Sequence, residues 1–307
     1  MSFFSLLGVL LLEHFQPLTH RIQLYVQFAR YANILERQLN GGRYRYGVLA
    51  WVLAVLPPAL AVGIGYYLLQ SASAPLALLF NVGVLYITLG IKHVGDTASR
   101  IALALRSGEL DDARKSLSEW QGSTTQGLNA NAVARISIER LFGCAHRQFF
   151  GVFLWFAVLG PAGAVIYRLS HILYQKWGVL DPHEFGRFGL FSARVFELLD
   201  WIPVRLLGLS FAIVGDFEDA IYCWREQASN WTNRVQGIVL AAGAGALGVR
   251  LGDPLEYEGR VELRSELGLG DVADPDHIDS AVSLVWRAIA LWLAVLLLMT
   301  LAQWAAQ

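Results

Sequence analysis

Long stretches without a charged residue organise this chain. The longest runs from Tyr46 to Ile91, between Arg45 and Lys92. A membrane-crossing helix takes about 20 mostly apolar residues, so this run accommodates two. The pattern predicts spans at roughly 47–69 and 76–91, with the turn at Ser71-Ala72-Ser73-Ala74-Pro75. Pro57 and Pro58 inside the first span predict a kink in a packed bundle, because proline is tolerated there only where neighbours re-satisfy freed carbonyls. Further uncharged runs, Gln148–Tyr167 and Ala288–Gln307, predict two more spans. A fifth candidate, 198–214, carries Asp200 and Arg205 near its start, a charge pair within the membrane or at its interface.

The expected fold is therefore an all-α, polytopic transmembrane helical bundle of four or five spans with helical cytoplasmic segments. Residues 1–46 form an N-terminal amphipathic, interfacial segment, in which apolar Phe3–Leu12 is too short to cross and lacks the basic start of a secretory signal. Then follow a transmembrane hairpin (47–91), a cytoplasmic helical segment (92–147), a transmembrane region (148–214) containing a loop at 168–197, an acidic cytoplasmic segment (215–287) and a C-terminal transmembrane helix (288–307). Cations set the orientation. Residues 1–46 hold Arg21, Arg30, Arg37, Arg43 and Arg45, and 92–147 hold eight Lys and Arg, which places both in the cytoplasm. Simple alternation then puts 168–197 outside, although Arg168, Lys176, Arg187 and Arg194 make that segment basic.

Composition agrees with the pattern: 55% hydrophobic and 16% charged residues, with a mean hydropathy of +0.44. Soluble domains carry about 25% charged residues. A formal net charge of −1 gives no basic face for nucleic acid, so none is expected as a partner. Two distant cysteines, Cys144 and Cys223, and seven scattered histidines form no ligand spacing, and no structural metal is expected.

Two polar segments carry candidate chemistry. Gly122, Ser123, Thr124, Thr125, Gln126 and Gly127 make a glycine-punctuated stretch suited either to a plain loop or to presenting N–H groups to phosphate, without the Lys-Ser/Thr ending of a P-loop. Segment 215–287 holds thirteen acids against six arginines. Its Gly243-Ala244-Gly245-Ala246-Leu247-Gly248 matches GxGxxG, but no strand and helix alternation surrounds it, so close helix packing explains the glycines better.

Gly245-Ala246-Leu247-Gly248-Val249-Arg250-Leu251-Gly252-Asp253-Pro254, followed by Tyr257 and Gly259, resembles the C-terminal signature of the CobD/CbiB family, the membrane-bound adenosylcobinamide-phosphate synthases of cobalamin biosynthesis. The blocks Gly108–Arg114, Gly163–Arg168, Leu199–Leu206 and Val285–Ala288 resemble the family in the same order. The resemblance implies ATP-dependent amide ligation of an aminopropanol-type amine to adenosylcobyric acid, assisted by magnesium.

The family's GRDT motif reads Gly122-Ser123-Thr124-Thr125 here, and its three acids four residues apart read Glu139, Gly143 and Arg147. The NTLD motif reads Ser170-His171-Ile172-Leu173. These losses, with Met1–Leu7 and the Leu199–Leu206 block, resemble the AmpE-like branch. They imply a non-synthase accessory or signalling protein of a bacterial inner membrane, with a corrinoid or cell-wall-derived ligand and a possible homo-oligomer. The alternative is an active synthase using Mg and ATP. The candidate residues are Glu139 as catalytic group, and Ser123, Thr124, Thr125, Arg168, Arg250, Asp253 and Glu256 as ligand contacts.

Overall fold

The computed structural model describes residues 2–15, 21–90, 92–179, 186–252, 255–257, 260–262 and 264–305. Among the described residues, four helical stretches are long and apolar enough to cross a membrane: Tyr44–Ala72, Ala74–Arg106, Ala130–Gly178 and Pro275–Gln303. They make this a polytopic helical membrane protein. The chain divides into two compact units, one of residues 1–90, 147–202 and 299–307, the other of 91–146 and 203–298.

The first unit begins with α1 (Ser2–Phe15) and α2 (Arg21–Leu39). The former is apolar on nearly every side and packs along α4 (Ala74–Thr88), where a Cβ at Gly8 would sit 3.1 Å from Val82 Cγ2. It is thus a short apolar helix packed against a span. Between them, α3 (Tyr44–Ala72) runs through Pro57 and Pro58 as one helix and ends at extended Ser73, with Pro75 in the first turn of α4. Its core joins Ala32 and Leu35 of α2, Ala50, Trp51, Ala54 and Val55 of α3, and Leu173, Trp177 and Phe188.

The helix breaks at Gly160-Pro161 in α8 (Gly151–Leu173). Gly160 takes φ +68°, ψ −158°, and Pro161 has no N–H for the helical ladder. The chain folds back there. A Cβ at Gly151 would collide with the Tyr167 ring, and one at Gly163 with the Trp155 carbonyl. In a straight helix Gly151 and Tyr167 would stand about 24 Å apart. The second arm continues into a π-helical turn, Tyr174–Gly178, so the segment read as a loop at 168–197 is helical to Gly178 and again from Leu190, where α9 (Leu190–Val214) starts. Its cations have partners along these helices: Arg168 Nε donates to Tyr25 Oη at 2.8 Å and Lys176 Nζ to Asn33 Oδ1 at 2.6 Å.

The second unit contains α5 (Lys92–Arg106), α6 (Leu110–Gln121), α7 (Ala130–Ala145), α10 (Phe217–Gln227) and α11 (Arg234–Leu247). Phe142 of α7 meets Phe211 at 5.0 Å between ring centroids. The GxGxxG stretch is the tail of α11: Gly243 lies against the Phe142 ring and Gly245 against the Asp219 carbonyl, where side chains would collide. Beyond it, β1 (Val249–Arg250) pairs in parallel with β4 (Asp271–Val272), and β2 (Leu255–Tyr257) pairs antiparallel with β3 (Arg260–Glu262). The last helix, α12 (Pro275–Ala305), starts thirteen residues before the expected span, and Asp276 and Asp279 in its first turns pair with Arg106 at 2.6 and 2.7 Å.

Candidate functional site

The second unit concentrates its buried polar chemistry around Glu139. This residue sits on the inner face of α7, whose start is capped by Asn129 Oδ1 accepting from Ala132 N at 2.8 Å. Glu139 Oε1 accepts from Arg264 Nη2 at 2.6 Å and from Gly252 N at 3.0 Å. Arg264 Nη2 also donates to the Gly252 carbonyl at 2.9 Å, and its guanidinium lies 5.1 Å from the Trp231 ring centre. The side chains are only 8% and 13% exposed, so this charge pair is largely desolvated. Arg264 Nε is buried and finds no hydrogen-bond partner among the described residues.

Local chain geometry positions these groups. Gly252 has φ +81° and packs on the Ser265 carbonyl, which leaves no room for a Cβ and lets its N–H approach the carboxylate. Leu251 and Leu267 exchange backbone hydrogen bonds of 2.7 and 2.9 Å. Gln227 clamps Gly268 through its side-chain amide, accepting at 2.6 Å and donating at 3.2 Å. Ser265 Oγ donates to the Asn230 carbonyl at 2.9 Å. The family-like signature is therefore a backbone clasp around Glu139.

Other sequence candidates fall elsewhere. Thr125 is buried and donates from Oγ1 to the Arg114 carbonyl at 2.7 Å, while Arg114 Nε reaches the Leu128 carbonyl at 2.8 Å. The loop is thereby fastened to α6, with Ser123 and Thr124 exposed. Arg250, two residues from Gly252, lies 3.7 Å from Glu266. Asp253 lies outside the described residues, as does the side chain of Glu256, whose backbone pairs with Val261 in the β2–β3 hairpin. Glu139 and Gly143 lie in α7, and Arg147 in the π-helical turn, His146–Phe150, that follows it.

Arg168 belongs to the first unit, where it lies 4.5 Å from the Tyr25 ring centre. Asp200, coupled by the sequence to Arg205, accepts a 2.6 Å hydrogen bond from the buried Tyr167 hydroxyl. Arg264, Trp231, Tyr25 and Tyr167 are absent from the sequence-derived set. The one legible signal for them was Arg264 as a cation inside an acidic segment.

A divalent cation needs several oxygen ligands, commonly carboxylates. Among the described residues no three His, Cys, Asp or Glu side chains converge to hold a metal, and the Glu139 carboxylate is already engaged by a guanidinium. The described part of this site does not fit magnesium.

The family model described as CobD/Cbib protein matches residues 6–285. A cobalamin biosynthesis protein CobD from Stutzerimonas stutzeri is 38% identical over 299 residues, covering 96% of this chain and 97% of the relative. The protein of that name from Chromobacterium violaceum is 34% identical over 81% of this chain and 74% of its own length. That from Streptococcus sanguinis is 27% identical over 83% and 82%. No solved structure matches.

These relatives correct the expectation of a non-synthase, AmpE-like signalling role, since their names place them in cobalamin biosynthesis. The absent acids at 143 and 147 were a poor discriminator: the clasp around Glu139 is assembled without them. Near-complete coverage by the family model and by a relative at 38% identity shows that the chain belongs to the CobD/CbiB family.

Proposed function

We propose that this protein acts in cobalamin biosynthesis, forming an amide between a carboxylate of a corrinoid and an aminopropanol-type amine with ATP, in the bacterial inner membrane. The similarity to the Stutzerimonas stutzeri protein along almost the whole of both chains is the observation that carries this reading. The ordered polar clasp supports it, because a preorganised cation in a low-dielectric setting suits recognition of an anionic group.

In this reading Glu139 is a positioning residue. Its carboxylate fixes the Arg264 guanidinium against Trp231, and Arg264 offers its buried Nε to an anionic oxygen of the substrates. Arg250 and the exposed hydroxyls of Ser123 and Thr124 are further contacts to test, as are Asp253, Glu256 and Arg168. Thr125 serves the loop through Arg114. ATP supplies the activation that amide formation requires; no step is assigned to magnesium.

The test is rescue of cobalamin-dependent growth in a strain lacking the synthase, together with formation of adenosylcobinamide phosphate by the purified protein. Rescue and product are expected. An abundant, membrane-inserted protein that gives neither would overturn the reading.

A further inference from the structure

The fold-back at Gly160-Pro161 bears on which side of the bilayer the basic segment after it lies. Alternation of single crossings sends 168–197 to the face opposite residues 1–46. Contacts inside the first unit place it otherwise. Arg187 N donates to the Gly42 carbonyl at 2.9 Å, just before α3, and a Cβ at Gly47 would strike the Phe188 carbonyl. Trp177 Nε1 donates to Glu36 Oε2 at 3.1 Å, and Lys176 reaches Asn33. Lys176, Trp177, Arg187 and Phe188 therefore lie at the start of α3. The other end of that 29-residue helix is about 42 Å away.

The two arms of the hairpin run side by side towards that end. Gly151 touches the Tyr167 ring, and the next residue, Arg168, donates to Tyr25, whose hydroxyl donates to the Ile87 carbonyl near the exit of α4 at 3.4 Å. Only the bend reaches deep along α3, where a Cβ at Gly63 would meet Ala162 Cβ at 3.6 Å. Gly63 is nineteen residues into α3, about 28 Å from its start. Near the bend Val158 and Leu159 are 63% and 52% exposed, an apolar surface suited to lipid chains. Irregular backbone at membrane depth survives only where protein covers it, and Pro161 is buried.

We infer that residues 147–178 form a helical hairpin that enters and leaves on one membrane face, with its bend in the hydrocarbon, and that Val179 and residues 186–197 lie on the same face as the end of α2 and the start of α3. Arg168, Lys176, Arg187 and Arg194 then join the five arginines of the first segment, as the excess of cations on the cytoplasmic face requires. The inference rests on contacts within the first unit and is independent of the reaction proposed above.

Single cysteines at exposed positions read the sidedness directly. Gln175→Cys reports on the end of the hairpin's second arm and Val179→Cys on the residue just after it, Gln38→Cys on the first segment, and Ser71→Cys on the turn between α3 and α4. The native Cys144 and Cys223 are buried, and burial pushes the Cys223 thiol up to about 11, so both add little background. An impermeant maleimide is applied to spheroplasts and to inverted vesicles of the full-length protein. Residues 175 and 179 are expected to label in the same preparation as residue 38, and residue 71 in the other. Labelling of either 175 or 179 together with 71 would overturn the hairpin. The two reporters on successive turns guard against misfolding of one variant.

Discussion

Glu139 and Arg264 lie 125 residues apart in the chain, yet their side chains meet at 2.6 Å in a largely buried ion pair. The pair links the middle of α7 to the segment after the β2–β3 hairpin, with the Gly252 N–H as second donor to the same oxygen. Removing one partner of a buried pair leaves the other charge uncompensated, which costs about 3–5 kcal/mol. Glu139→Ala and Arg264→Ala are each expected to destabilise the protein by that amount in detergent. Thermal or denaturant unfolding checks it. The double variant Glu139→Gln/Arg264→Met is expected to lose less than the sum of the single changes, because no charge is stranded.

Tyr167 and Asp200 provide a second long-range contact. The phenol donates to Oδ1 at 2.6 Å, with both residues buried. Tyr167→Phe keeps the ring against Gly151 and Phe196 but removes the donor. The expected loss is about 1–3 kcal/mol, the cost of leaving a buried acceptor short of a hydrogen bond. Asp200→Asn, which retains an acceptor oxygen for the phenol, is expected to cost less. Equal losses in the two variants would show that the carboxylate charge, not the hydrogen bond, matters.

The sequence displayed what depends on local hydropathy. Uncharged runs located the helices at 44–72 and 74–88 and the part of 275–305 beyond Arg287, because a span announces itself by the absence of charge. The close approach at Gly243 and Gly245 was legible from small residues on a helix. The fold-back in α8 was not, since Gly160-Pro161 sits in a run whose hydropathy is the same whether it crosses or turns back. Only the basic residues after it hinted at the second possibility. Partners of Glu139 were hidden for another reason: a contact 125 residues apart leaves no periodicity to read. Asp200 and Arg205 were grouped because both lie in one apolar stretch, while Tyr167, 33 residues earlier, was the hydrogen-bond donor the sequence missed.

Two glycine substitutions separate packing from propensity. Gly143 has open space beside its Cα, so Gly143→Ala is expected to be neutral or to stabilise by up to about 1 kcal/mol through helix propensity alone. Gly163 faces the Trp155 carbonyl across the bend, where a methyl group has no room. Gly163→Ala is expected to open the two arms of α8 and cost several times more, on the order of 3 kcal/mol for forced overpacking. Comparing melting temperatures and protease resistance of the two variants tests this contrast. A Gly163→Ala protein as stable as the parent would remove the tight bend.

Asp274 caps the last helix, accepting from Asp276 N and His277 N at 2.9 Å each and contacting His277 Nδ1 at 2.7 Å. Partial burial pushes its carboxyl up, but the donors from His277 and Asp276 outweigh burial and leave it below the usual carboxylate value. A carboxyl with a depressed folded-state pKa contributes stability above its unfolded value, near 3.9, and loses that contribution as pH falls through the lower folded value. Asp274→Ala is therefore expected to cost about 1 kcal/mol at pH 7, with wild type and variant converging below about pH 4. Asp274→Asn retains an oxygen acceptor without the titrating charge. Its melting temperature is expected to stay near the parent's at pH 7 and to vary less with pH, so a loss as large as that of Asp274→Ala would assign the stabilisation to charge rather than to the cap.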